Sequence, residues 1–92
     1  MSKETSEVSR NRFEYEDEGE TAYLEFDVDG QGWLTLWHTE VPQKLRGRGI
    51  AGILAQTAFE YARDNTLKVD VICPLAKAYA DKHPEFKGLI GK

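Results

Sequence analysis

The chain of 92 residues is 40% hydrophobic and 11% aromatic and carries a formal net charge of −4, which is typical of a small globular domain with one modest core. No apolar run is long enough to span a membrane and no basic-then-apolar stretch is apparent, so we expect neither a membrane span nor a secretory signal, and the acidic balance disfavours nucleic-acid binding. A single cysteine excludes an internal disulfide and a cysteine-based metal site, so we expect no metal and a cytoplasmic location. Oligomeric state is not readable, and a monomer is consistent with the sequence.

Charge is unevenly distributed along the sequence. Residues 1–40 contain eleven acidic and three basic residues, a balance of −8, whereas residues 41–92 contain five acidic and nine basic residues, a balance of +4. One interpretation is that the basic part receives a polyanionic cofactor while the acidic part favours a cationic amine. The alternative is that these charges only keep the surface soluble.

Alternating apolar and polar residues predict three strands in the first part of the chain. Residues 1–11 have no periodicity and are predicted to be disordered, so a single domain is expected over residues 12–92. The strands are expected at residues 12–16, 21–28 and 33–41, with an acidic turn at residues 17–19 and a glycine-containing hairpin turn at residues 29–32. In the third strand, Leu34, Leu36 and His38 should share one face, and bulk on the other face predicts cover on both sides.

A helix and a fourth strand follow the third strand. The helix is predicted from one stripe at helical spacing that comprises Ile50, Ile53, Leu54, Thr57, Ala58 and Tyr61. Residues 68–73 alternate again, with Val69, Val71 and Cys73 on one side, and Pro74 then favours a short helix that ends near residue 82. The fold class is therefore α/β, a small mixed sheet of about four strands in which an antiparallel meander is followed by a parallel strand through a crossover helix.

This topology places two distant segments at the same edge of the sheet. Ligands of open α/β sheets bind beyond the carboxyl ends of the strands, which here are Val41 and Cys73. We therefore expect the loop after Val41 to lie beside Cys73.

That loop is rich in glycine and arginine and leads directly into the predicted helix. The first backbone N–H groups of a helix lack intrahelical partners and carry partial positive charge, so they bind phosphates well. Gly47 and Gly49 allow close approach and positive φ, and Arg46 and Arg48 could add charged hydrogen bonds. The alternative is a loop that only turns the chain. The spacing of a P-loop is absent, and we set the dinucleotide-binding fingerprint aside as well.

The run Arg46-Gly47-Arg48-Gly49-Ile50-Ala51 resembles the signature of the GNAT superfamily of N-acetyltransferases: glutamine or arginine, two variable residues, glycine, one variable residue, then glycine or alanine. Val41 matches the end of that family's bulged strand, and Gly52 continues its helix start. The resemblance extends to about residue 86 and is greatest to a very small single-domain, Yjdj-type branch, since Cys73-Pro74-Leu75-Ala76 and His83-Pro84-Glu85-Phe86 match its C-P-x-A and H-P-x-F strings.

The resemblance implies a GNAT-like fold and an enzyme that takes acetyl-coenzyme A as acyl donor. Its cofactor-binding residues would be Val41, Arg46, Gly47, Arg48, Gly49, Ile50, Ala51 and Gly52. A backbone N–H near Val41 would polarise the thioester carbonyl, and His38 or Glu40 would act as base through water. Where many members have asparagine and tyrosine, this chain has Cys73 and Ala80, with Tyr79 one residue early. The usual general-acid assignment therefore does not carry over, and Tyr79 is expected to be a packing residue rather than a general acid.

Cys73 is the second candidate catalytic residue, with His38. A thiol at a helix N-terminus favours the thiolate, so Cys73 could accept the acetyl group, form a mixed disulfide with coenzyme A or bind its pantetheine arm. The alternative is a small buried hydrophobic residue. The sequence thus favours an acetyl-coenzyme A dependent N-acetyltransferase acting on a small-molecule or protein amine. A coenzyme A binding module without efficient transfer is the alternative, and an interaction domain that kept only the fold is a third reading.

Overall fold

The computed structural model describes residues 11–91. The predicted disorder of residues 1–10 falls outside this range, whereas Asn11 belongs to the first strand. In chain order the elements are β1 (Asn11–Asp17), β2 (Glu20–Val28), β3 (Trp33–Glu40), a 3-10 turn (Gln43–Leu45), α1 (Ile50–Asp64), β4 (Lys68–Val71), α2 (Pro74–Lys82) and a second 3-10 segment (Pro84–Leu89).

The sheet has the predicted mixed topology. Its strand order is β1-β2-β3-β4, with antiparallel pairing between the first three strands and parallel pairing between β3 and β4. The α1 crossover supplies the long connection that parallel neighbours need. The expected α/β class and its small mixed sheet are therefore confirmed.

One face of the sheet packs against both helices. Leu24, Leu34 and Leu36 are fully buried there, together with Phe59 of α1 and Ala80 of α2. On the opposite face, Trp33, Thr35 and Trp37 are only half-buried. Cover on both sides of β3 was expected, and the two faces are covered unequally, because the residues that α1 and α2 contribute to the hydrophobic cluster pack with Leu34 and Leu36.

The buried stripe of α1 is rotated from the predicted one. Its buried residues are Ile50, Leu54, Ala55, Ala58, Phe59 and Ala62, whereas Ile53 and Tyr61 remain 42% and 38% exposed. The prediction followed one helical spacing, whereas the buried face also includes Ala55, Phe59 and Ala62, which lie one position further round the helix. Tyr61 instead contacts Phe13 at the edge of the core, with ring centroids 5.7 Å apart.

A β-bulge changes the orientation of the end of β3. Glu25 pairs with His38 but its neighbour Phe26 pairs with Leu36, so Trp37 is the extra residue. After the bulge, His38 is exposed and Thr39 is buried. The prediction that His38 shares the face of Leu34 and Leu36 is wrong, because strict alternation does not continue across a bulge.

The C-terminal residues add a contact that the sequence did not predict. Ile90 forms an isolated parallel bridge with Val69, and the amide of Gly91 donates to the carbonyl of Val69 over 3.1 Å. A Cβ at Gly91 would lie 2.5 Å from the Trp33 ring. Only glycine therefore lets the backbone pass this close to the indole.

Candidate functional site

The site begins where β3 and β4 separate. Their parallel ladder ends at Leu36 and Val71, and the carbonyl of Leu36 then accepts hydrogen bonds from the amides of both Ile72 (2.9 Å) and Cys73 (3.0 Å). Beyond this point β3 continues to Glu40, whereas the segment after β4 leads into α2, which begins at Pro74. The divergence opens the carboxyl edge of the sheet, where the sequence predicted a ligand site.

A cavity of about 370 Å³ lies at this edge, and we call it the β3 cleft. It is built from the end of β3, the loop that follows, the start of α1 and one residue of α2. Its lining comprises Thr39, Glu40, Val41, Leu45, Arg46, Gly47, Gly49, Ile50, Ala51 and Leu75. The Glu40 carboxylate and the Arg46 guanidinium are the charged groups of an otherwise mainly apolar wall. This combination is typical of small-molecule sites.

Residues 46–49, here called the glycine loop, contribute Arg46, Gly47 and Gly49 to the cleft wall and have a conformation that the glycines make possible. Gly47 and Gly49 have φ of 83° and 75°, a left-handed region in which a side chain is strained. A Cβ added at either position would meet no protein atom within 4 Å. The glycines therefore serve backbone direction, and the space beside them is open.

The start of α1 presents uncapped backbone donors to the cleft. Gly49 is the N-cap, and α1 has neither a side-chain cap hydrogen bond nor an acidic residue in its first turn. Because Gly49, Ile50 and Ala51 all line the cleft, the positive end of the helix dipole lies at this wall. The arrangement can hold an anion without a dedicated side chain.

The two arginines of the glycine loop point to different places. The Nε of Arg46 donates to the carbonyl of Val41 over 3.0 Å, and its Nη2 lies 3.9 Å from a carboxylate oxygen of Glu40, so Arg46 stays at the cleft. Arg48 is not part of the cleft lining, and its guanidinium donates to Asp17 and Glu18. Bonding to Glu18 is the main reason that the pKa of Arg48 is raised above its usual value.

Gly52 also lies outside the cleft lining. A Cβ there would lie 3.6 Å from the ring of Tyr79 on α2, so this glycine faces the contact between the two helices. Gly47, Gly49 and Gly52 do have the G-x-G-x-x-G spacing of the dinucleotide fingerprint, and setting that motif aside was wrong as regards spacing. The fingerprint needs its first glycine directly after a strand, whereas the 3-10 turn Gln43–Leu45 separates β3 from Gly47.

Neither of the two candidate catalytic residues lines the cleft. His38 has a side chain 56% exposed, and its Nε2 lies 3.2 Å from a carboxylate oxygen of Glu40, which does line the cleft. Cys73 is 2% exposed, and its Sγ lies 3.0 Å from the Oγ1 of Thr39, another lining residue. Each candidate therefore reaches the cleft through one neighbouring side chain.

Sequence reasoning did not find three of the lining residues. Strict alternation would place Thr39 on the face of Trp33 and Trp37, but the bulge turns it inward. Leu45 is a fully buried residue of the 3-10 turn. Leu75 comes from α2 and is 49% exposed. The available signal was an apolar residue directly after Cys73-Pro74, at the strand end expected to meet the glycine loop.

Other chemistry is limited in the part of the chain that the structure describes. Over residues 11–91, no three His, Cys, Asp or Glu side chains are grouped so that they could hold a metal ion. None of the described helices is both long and apolar enough to cross a membrane.

Comparison with known proteins indicates a family and relatives. A family model described as GCN5-related N-acetyl-transferase matches residues 12–89. Protein NATD1 of Xenopus tropicalis is 36% identical over 63 residues, which cover 68% of this chain and 58% of that protein. The proteins of the same name from Gallus gallus and Homo sapiens show the same identity, with 57% and 56% of their length covered. The chain thus spans little more than half the length of these relatives.

Proposed function

The chain belongs to the GCN5-related N-acetyltransferase family, and we propose that it transfers an acetyl group from acetyl-coenzyme A to the amine of a small molecule or a protein. The observation that carries this proposal is the uncapped N-terminus of α1 at the wall of the β3 cleft. Family membership supports acyl transfer in general. The donor and the class of acceptor are the parts that require testing.

The residues of the cleft fit the anionic part of coenzyme A. Backbone N–H groups of Gly47, Gly49, Ile50 and Ala51 are suited to the pyrophosphate, because they combine open space with the positive end of α1. Arg46 lines the same wall and adds a cation. The apolar remainder of the cleft suits the pantetheine arm.

The end of β3 supplies the groups for the transfer itself. When bound, acetyl-coenzyme A would supply the acetyl thioester. The amide of Val41, a cleft residue, would donate to the carbonyl oxygen, where negative charge develops. Glu40 faces the cleft and is paired with His38, so these two side chains together would take the proton of the attacking amine.

A covalent role for Cys73 remains a prediction with a sharp test. Its thiol is buried against Thr39, so acetylation would require Sγ to reach the cleft past that hydroxyl. If Cys73 carries the acetyl group, Cys73→Ala abolishes turnover and thiol reagents inactivate the enzyme. If Cys73 only packs against the wall, Cys73→Ala retains turnover and the covalent route is excluded.

The test of the proposed function is calorimetric titration with acetyl-coenzyme A and coenzyme A, followed by measurement of thiol release with a panel of amines. We expect micromolar affinity, about −8 kcal/mol, and acetylation of at least one amine class. Glu40→Gln should retain donor affinity and lose most turnover, whereas Gln56→Ala, on the exposed side of α1, is the matched control. Affinity without turnover would favour the coenzyme A binding module. No affinity would refute both and leave an interaction domain.

The charge distribution supports a cationic acceptor as a second point to measure. The acidic balance of residues 1–40 and the basic balance of residues 41–92 predict steering of an amine toward the sheet side of the cleft. The rate with a cationic amine should fall as ionic strength rises. A rate independent of salt would refute steering without affecting the transferase proposal.

A further inference from the structure

Arg48 belongs to the glycine loop, but its side chain leaves the cleft. Its Nη1 lies 3.2 Å from the Oδ2 of Asp17 and also donates to the Oε2 of Glu18. Both acceptors lie in the acidic turn, residues 17–19, which joins β1 to β2. One guanidinium therefore connects two segments that are thirty residues apart in the sequence.

The acidic turn is a firm anchor. Asp17 and Glu20 form the last residue pair of the β1–β2 ladder, so only Glu18 and Gly19 connect the two strands. Glu18 and Gly19 both have positive φ, 52° and 77°, which is the conformation of the tightest hairpin turn. The Glu18 carboxylate is thus presented from a backbone that the ladder holds on both sides.

The glycine loop has few other restraints of its own. Gly47 and Gly49 have no side chains, and a Cβ at either would meet nothing within 4 Å, so the protein does not pack around them. The loop begins after Leu45, which is fully buried, and ends at Ile50, which is 3% exposed. Between these anchors the side-chain contacts described are those of Arg46 at the cleft and of Arg48 at the acidic turn.

We propose that Arg48 is a positioning residue that ties the glycine loop to the acidic turn and so holds the backbone donors of Gly47 and Gly49 in the cleft wall. This inference rests on the proposed function for the identity of the ligand. It differs from the role that the sequence predicted, in which Arg48 contacts a phosphate directly. The two roles make opposite predictions when the acidic turn is altered.

The deciding variant carries Asp17→Asn together with Glu18→Gln. If Arg48 positions the loop, loss of both partners frees the loop and raises the Kd for coenzyme A by about fivefold, the scale of an exposed network of charges. If Arg48 binds phosphate, the same variant releases it toward the ligand and lowers the Kd. Unchanged or tighter binding would therefore overturn the proposal.

A matched control separates this effect from a change in total charge. Glu14 and Glu16 are exposed residues of β1, and Glu14→Gln with Glu16→Gln removes the same two negative charges while leaving the acidic turn intact. We expect this control to bind coenzyme A as tightly as the wild type or slightly more tightly. The kcat at saturating acetyl-coenzyme A should be unchanged in both double variants, since neither touches the end of β3.

A second measurement tests the restraint without any ligand. The amide of Ile53 donates to the carbonyl of Gly49 over 3.1 Å, so its hydrogen exchange reports opening of the first turn of α1. In the free protein, the Asp17/Glu18 variant should exchange this amide about fivefold faster, with Phe59 unchanged. Equal exchange at Ile53 in the wild type and the variant would overturn the proposal, whether or not the wild type binds coenzyme A. Absence of coenzyme A binding would by itself refute only the proposed function.

Discussion

Replacing Ala51 with aspartate would place a negative charge in the wall of the β3 cleft without a backbone cost. Ala51 lines the cleft and is the second residue of α1. At this position an anion interacts favourably with the helix dipole, by about 0.3–1 kcal/mol, which offsets the lower helix propensity of aspartate. We therefore expect the variant to fold with nearly wild-type stability. A charged residue at Gly49 would be less informative, since φ there is 75° and any side chain is strained.

The expected loss of affinity follows from the charge of the proposed ligand. For charges about 6 Å apart at an effective dielectric constant of about 40, each pair of like unit charges costs about 1.4 kcal/mol. The two charges of a pyrophosphate give about 3 kcal/mol, which screening by salt reduces to about 2 kcal/mol, or roughly a 30-fold rise in Kd.

The assay is calorimetric titration with coenzyme A, using Ala51→Asn as the matched control. Asparagine has nearly the same size and shape as aspartate but no charge, so the difference between the two variants isolates the electrostatic term. Thermal unfolding of both variants shows whether each remains folded. Equal Kd values for the aspartate and asparagine variants would refute the assignment of this wall to the phosphates.

Three further predictions concern stability. Gly52→Ala should raise the free energy of unfolding in urea by about 0.5–1 kcal/mol, because alanine has the higher helix propensity and its Cβ makes only an ordinary contact with Tyr79. Gly49→Ala should lower the free energy of unfolding by about 1–2 kcal/mol, because φ is positive there. Equal effects of the two variants would contradict the assigned conformations. Burial, with smaller contributions from carboxylates, raises the pKa of Tyr79 above 10.0. Its neutral form therefore contributes stability below pH 10 that is lost as pH rises through the folded-state pKa. Tyr79→Phe should lose less stability than the wild type above pH 10, and parallel curves of unfolding free energy against pH would refute this. Leu36→Ala, at a fully buried position, should lower the free energy of unfolding by about 2–5 kcal/mol. Ile72→Ala, at a 51% exposed position, should lower it by less than about 1 kcal/mol. Similar losses would contradict the assignment of Leu36 to the core.

The raised pKa of Tyr79 also bears on the general-acid assignment. A phenol whose neutral form is favoured by burial releases its proton less readily at neutral pH, and the ring is stacked on His83 with centroids 4.0 Å apart. Tyr79 is not among the lining residues of the β3 cleft. Its contacts are those of a packing residue, as the sequence already favoured.

The sequence by itself determined the order of the elements and the location of the glycine loop. Alternation and helical spacing are local properties, and a strand, a helix and a strand in succession leave few topologies for the sheet. The positive φ of Gly47 and Gly49 was likewise foreseeable, because glycine is the residue that adopts it without strain. These features depend on residues that are neighbours in the sequence, so the sequence is sufficient to predict them.

Tertiary structure alone decided which side chains meet at the cleft. The bulge at Trp37 turns His38 outward and brings Thr39 against Cys73, and a single extra residue in a ladder has no periodic signature. Arg48 pairs with the acidic turn rather than entering the cleft, because the Glu18 carboxylate, thirty residues away in the sequence, accepts its hydrogen bond. Such contacts depend on how separate elements lie against one another, so local patterns could place the candidate residues near the site but could not assign their partners.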